Sequence, residues 1–161
     1  MITLVLGGAR SGKSETAERL AAELPAPVLY FATAVVDDDD DLAARVAVHQ
    51  ERRPSEWKTI EAGADLAGAL RSAPDGTALI DALGPWVASH PEFLVDARGL
   101  VDALMSRQGD AVVVSEEVGL GVHPSTEAGR CFRDALGELN RTVADIADEV
   151  LLVIAGRVLP L

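Results

Sequence analysis

The sequence predicts an α/β fold, a mostly parallel sheet covered by helices on both faces. Three observations predict it. Short apolar runs rich in Val, Leu and Ile recur along the chain with helical patterns between them, which is the alternation of a parallel sheet. Apolar residues make up 48% of the chain but aromatics only 4%, so Ala, Val and Leu must build the core, as suits strands buried on both sides. The first apolar run leads into a glycine-rich loop, Gly7-Gly8-Ala9-Arg10-Ser11-Gly12-Lys13-Ser14, and then into a helical pattern. At 161 residues the chain fits a single domain spanning 1–161, with no internal repeat and no linker long enough to divide it.

The elements follow in order. Ile2–Leu6 reads as a buried strand and Glu15–Leu24 as a helix. Pro27–Thr33 is the second strand. A helix is expected over 40–51, starting within the acidic run Asp37–Asp41, and another over 63–72. The turn signal Pro74-Asp75-Gly76 precedes a strand at Thr77–Asp81. Gly84-Pro85 should break or delay the helix that follows it. Helix 96–107, strand Ala111–Ser115, helix 126–147 and strand Glu149–Ala155 complete the pattern. Crossovers between parallel strands should be right-handed.

The glycine-rich loop carries the chemistry. It fits G-x-x-x-x-G-K-[ST] in strand–loop–helix context, which makes the expected fold P-loop NTPase-like. Backbone amides of Gly7, Gly8, Ala9, Arg10, Ser11 and Gly12 would cradle phosphates, helped by the positive end of the helix. Lys13 would reach the outer phosphates and the Ser14 hydroxyl would ligate Mg2+. The competing reading is a turn that binds nothing. Asp81 ends an apolar strand, where an acid holds the magnesium shell in such folds; a plain turn-capping aspartate is the alternative. Glu116 and Glu117 follow the next strand at the same sheet edge. One of them orients a nucleophile or joins the metal shell, or both are a solvated pair.

A helix starting near Asp40 would align Asp41, Arg45 and His49 on one face, with Arg52 one turn on. Nearby cations favour a neutral imidazole, and a neutral imidazole can attack an α-phosphate to give a covalent nucleotidyl-histidine. A surface histidine is the alternative. His90 and His123 precede prolines in expected loops, and no spacing among the three histidines makes a metal site.

Composition narrows the partners. A formal charge of −12 argues against nucleic acid and anionic membranes, although Arg45, Arg52, Arg53 and Lys58 form a local basic patch suited to a polyphosphate. No apolar run approaches the ~20 residues of a membrane span, and the N-terminus reads as a core strand, not a signal peptide. The single cysteine, Cys131, excludes an internal disulfide, fits a cytoplasmic location and reads as a packing residue.

The ordered set of motifs resembles the bifunctional adenosylcobinamide kinase / adenosylcobinamide-phosphate guanylyltransferase family. The segments that carry the likeness are the Gly7–Ser14 loop, Tyr30–Ala34, Asp39–Val46, His49 followed by Arg53-Pro54, Trp57–Glu61, Glu117–Val122, Phe132–Asp134, Asn140-Arg141 and Ala147–Val150. They run nearly end to end. The resemblance implies two reactions. ATP or GTP phosphorylates the aminopropanol hydroxyl of adenosylcobinamide. GTP then guanylylates a histidine, here matching His49, and the GMP passes to adenosylcobinamide phosphate to give adenosylcobinamide-GDP. Arg53, Glu61 and Asp81 match nucleotide-binding positions, and a homotrimer with sites near subunit boundaries is implied. The stretch Asp81–His90 departs from the family pattern, and His123 stands where an aliphatic residue is usual. A P-loop small-molecule kinase without guanylyl transfer is the alternative, and a non-catalytic nucleotide-binding protein a third.

Overall fold

The computed structural model describes residues 1–33 and 54–161. The expected helix over 40–51, with His49, Arg45, Arg52 and Arg53, lies outside the described residues.

The strands are β1 (Ile2–Gly7), β2 (Val28–Ala32), β3 (Lys58–Glu61), β4 (Thr77–Asp81), β5 (Ala111–Glu116), β6 (Glu149–Ile154) and β7 (Arg157–Pro160). They form one sheet in the order β3-β2-β4-β5-β1-β6-β7. All pairings are parallel except that of β6 with β7, a terminal hairpin. The helices are α1 (Lys13–Glu23), α2 (Leu66–Ser72), α3 (Leu83–Ala88), α4 (Ala97–Ser106) and α5 (Glu127–Ala144).

Both faces of the sheet are covered, as the apolar runs require. On one face Ala17 and Ala21 of α1 pack on Val5, Val112, Val114, Leu151 and Val153. On the other, α2 to α5 bury Leu66, Trp86, Leu100 and Leu136 against Leu4, Phe31, Ile80 and Val113. Small residues on α1 let its axis lie close to the sheet. Trp86 is 2% exposed and donates its indole N–H to the Ala64 carbonyl at 3.0 Å. Truncating so large a buried ring costs about 3–5 kcal/mol.

Three expectations need correction. Gly84-Pro85 neither breaks nor delays the next helix: α3 begins at Leu83 and carries both in its first turn, where a proline removes an N–H that has no helical partner anyway. Cys131 is exposed, because the buried stripe of α5 runs through Leu136, Leu139, Asn140 and Val143 and leaves residue 131 outside it. Strands β3 and β7 are additional to those expected. Both lie at sheet edges with largely exposed side chains, so no apolar run marks them.

Candidate active site

The sheet brings the sequence-expected residues to its carboxyl edge. Register places Gly7 beside Glu116, and Glu61, Ala32 and Asp81 in one row across β3, β2 and β4. The loop between β1 and α1 turns at Gly12, whose φ of +91° would strain a residue with a Cβ. The Gly156 amide, from the β6–β7 turn, donates to the Ser11 carbonyl at 2.8 Å and ties that hairpin to the loop.

Helix starts differ here in a telling way. Asp65, Asp96 and Thr126 cap α2, α4 and α5 by accepting the amides of Gly68, Gly99 and Gly129. No side-chain hydrogen bond caps α1. Its first-turn amides, with the positive end of the helix dipole, remain available to an anion. The Ser11 hydroxyl, buried in the same loop, has no hydrogen-bond partner among the described residues.

Lys13 Nζ lies 3.3 Å from Oε1 of Glu116. Ser14 Oγ donates to Oδ1 of Asp81 at 3.1 Å, and the Tyr30 hydroxyl donates to Oδ2 of the same carboxylate at 2.7 Å. Asp81 therefore accepts from two hydroxyls, one of them on the first turn of α1. The buried Thr33 hydroxyl donates to the Ala82 carbonyl at 2.6 Å and anchors the chain just beyond Asp81.

Glu116 and Glu117 part company. Oε1 of Glu117 accepts the Gly119 amide at 2.6 Å, closing its own turn. Glu116 joins the site: Oε2 accepts the Gly84 amide at 3.0 Å, so this carboxylate from β5 caps the start of α3. Asn140, buried on α5, donates to the Glu116 carbonyl at 2.9 Å and accepts from Ser115 Oγ at 2.5 Å. A mid-helix asparagine facing the core gives no periodic signal, and its role here went unread in the sequence, as did that of Tyr30.

Glu61, His90 and His123 have other surroundings. Glu61 is exposed on the edge strand β3, two strands from Asp81. His90 stacks edge-on against Trp86 at 5.3 Å between ring centroids, and its Nδ1 lies 2.8 Å from the Trp86 carbonyl. His123 Nδ1 meets Arg133 Nη1 at 2.9 Å.

An uncapped helix start, a lysine–carboxylate pair and a hydroxyl–carboxylate pair meet at this edge of the sheet. Comparison with known proteins specifies their chemistry. The model of the cobinamide kinase / cobinamide phosphate guanyltransferase family matches residues 3–161. The chain belongs to this family. The bifunctional adenosylcobalamin biosynthesis protein CobP of Pseudomonas aeruginosa is 40% identical over 169 residues, covering 100% of this chain and 97% of that protein. The bifunctional adenosylcobalamin biosynthesis protein CobU of Salmonella typhimurium is 37% identical over 177 residues, covering 97% of each. Among solved structures, a type III secretion system ATPase superposes with a TM-score of 0.53 at 8% identity, covering 94% of this chain and 50% of that one, a likeness of fold alone. As a cobinamide kinase and guanylyltransferase, the protein works in cobalamin biosynthesis with nucleotide and small-molecule substrates. No helix among the described residues is long and apolar enough to cross a membrane.

Proposed function

We propose that one domain, residues 1–161, performs both reactions at the Gly7–Ser14 loop: phosphorylation of adenosylcobinamide by ATP or GTP, then transfer of GMP from GTP through a guanylyl-His49 intermediate to adenosylcobinamide phosphate. The observation that carries this is the pairing of Ser14 with Asp81 and of Lys13 with Glu116 at the uncapped start of α1. Both reactions build negative charge on phosphate oxygens. Loop amides stabilise that charge from a fixed backbone, and Lys13 does so once it exchanges Glu116 for the phosphates. Ser14 and Asp81 are hard oxygen donors 3.1 Å apart, which suits Mg2+; they would hold it, and the ion would neutralise charge on the phosphates. Tyr30 keeps the Asp81 carboxylate in place.

The assignments of His49 as nucleophile and of Arg53 and Glu61 as nucleotide contacts rest on their match to the family pattern. The neutral imidazole attacks the α-phosphorus, pyrophosphate leaves, and the phosphate of the corrinoid later displaces the histidine. We further assign a homotrimer in the cytoplasm; the lone cysteine fits a reducing compartment.

The test is labelling. With α-labelled GTP and magnesium, the denatured protein should retain label that is acid-labile and base-stable, and His49→Ala should abolish it. A protein that never retains label, yet still phosphorylates adenosylcobinamide, would be a kinase alone. Sedimentation of the full chain checks the trimer.

A further inference from the structure

The two reactions differ in their need for a base. Guanylyl transfer uses a neutral imidazole and then a phosphate oxygen, neither of which must give up a proton. The kinase step uses a hydroxyl, which must lose one as it attacks. A residue serving that proton belongs to one half of the activity only.

The carboxylates at the carboxyl edge can be sorted by their commitments. Asp81 is engaged by Ser14 and Tyr30. Glu117 is folded onto the Gly119 amide. Glu61 stands on the outermost strand. Glu116 alone among these four touches the lysine of the phosphate loop, with Oε1 at 3.3 Å from Lys13 Nζ. A lysine in this position serves the outer phosphates. With Lys13 drawn to those phosphates, Oε1 of Glu116, 3.3 Å from that lysine, would stand beside the terminal phosphoryl group. An oxygen in that place would lie beside a hydroxyl attacking the same phosphorus.

The surroundings hold Glu116 in this attitude. The Gly84 amide fixes Oε2, which leaves Oε1 as the oxygen turned to Lys13. A Cβ at residue 84 would lie 2.0 Å from Oε2, so only glycine lets the carboxylate seat there. This gives the Gly84 departure from the family pattern a physical role. Asn140 pins the backbone behind it.

We propose that Glu116 is the general base of the kinase step. The hydroxyl oxygen of the corrinoid forms a bond to the terminal phosphorus. The bond from that phosphorus to its bridging oxygen breaks, and the nucleoside diphosphate leaves with the electron pair. The hydroxyl proton passes to Oε1 of Glu116 and then to water. The inference rests on the kinase half of the function proposed above and not on His49.

Glu116→Gln tests it in the full chain. Kinase kcat with adenosylcobinamide should fall about 100- to 1,000-fold, with the nucleotide KM unchanged. GMP transfer from GTP to ready-made adenosylcobinamide phosphate should hold at the wild-type rate. Equal loss of both halves would overturn the proposal, since Glu116 would then act only through Lys13, which serves both. No loss in either half would overturn it too. If the glutamine variant does not fold, Glu116→Asp carries the test: it keeps the carboxylate one methylene short and should lower the kinase half alone, about tenfold. A failure of His49 as nucleophile would appear separately, as GMP transfer that survives His49→Ala.

Discussion

Lys13 and Arg107 are two cations placed at opposite edges of the same sheet, and they are held in opposite ways. Lys13, at the carboxyl edge, meets a single carboxylate among the described residues, at 3.3 Å, that a phosphate can replace. Arg107, just after α4, donates to three carbonyls around the turn before β4: Leu70 at 3.2 Å, Pro74 at 2.8 Å and Gly76 at 3.1 Å. Its guanidinium also sits 5.9 Å from the Phe31 ring centroid. Burial lowers its pKa, with Asp75 opposing that shift, yet a guanidinium stays charged at any working pH. A cation answered by fixed carbonyls is a structural pin. A cation answered by one exchangeable carboxylate is poised for a ligand.

The contrast can be broken by substitution. Lys13→Ala should reduce both the kinase and GMP-transfer rates by about 1,000-fold, roughly 4 kcal/mol of transition-state stabilisation, with little change in thermal stability. Steady-state assays of each half and a melting curve check this. A large fall in stability would place Lys13 with the pins. Arg107→Ala should do the reverse, lowering unfolding free energy by about 2 kcal/mol while both reactions proceed normally below the melting transition. Denaturant unfolding measures it, and Arg107→Lys should recover only part because it lacks the planar fork.

Gly84→Ala pushes on Glu116 without removing it. The kinase half should fall about tenfold, near 1.4 kcal/mol, and GMP transfer should not. Thr126→Ala sets the scale for a site-neutral change: loss of the α5 cap should cost about 1 kcal/mol of stability, with both activities intact.

The sequence made the phosphate loop and five of the seven strands among the described residues legible, because buried parallel strands leave apolar runs and a phosphate cradle needs glycines at fixed spacing. It did not reveal β3 or β7, whose exposed side chains follow no apolar pattern. It misjudged Gly84-Pro85, since a first helical turn forgives the missing N–H that an interior would not. Within the site, Ser14, Lys13 and Asp81 were readable as a motif plus a strand end. Glu116 could be told from Glu117 only by contacts across the sheet. Tyr30 and Asn140 carry polar groups to the site from core positions, where sequence shows just one more buried residue.

The hydrogen bond from Gly156 to Ser11 has a consequence for the far end of the chain. The final hairpin touches the cradle from behind and serves as its strut. Cutting the peptide between Ile154 and Arg157 should silence phosphate chemistry while every residue that handles the nucleotide is still in place.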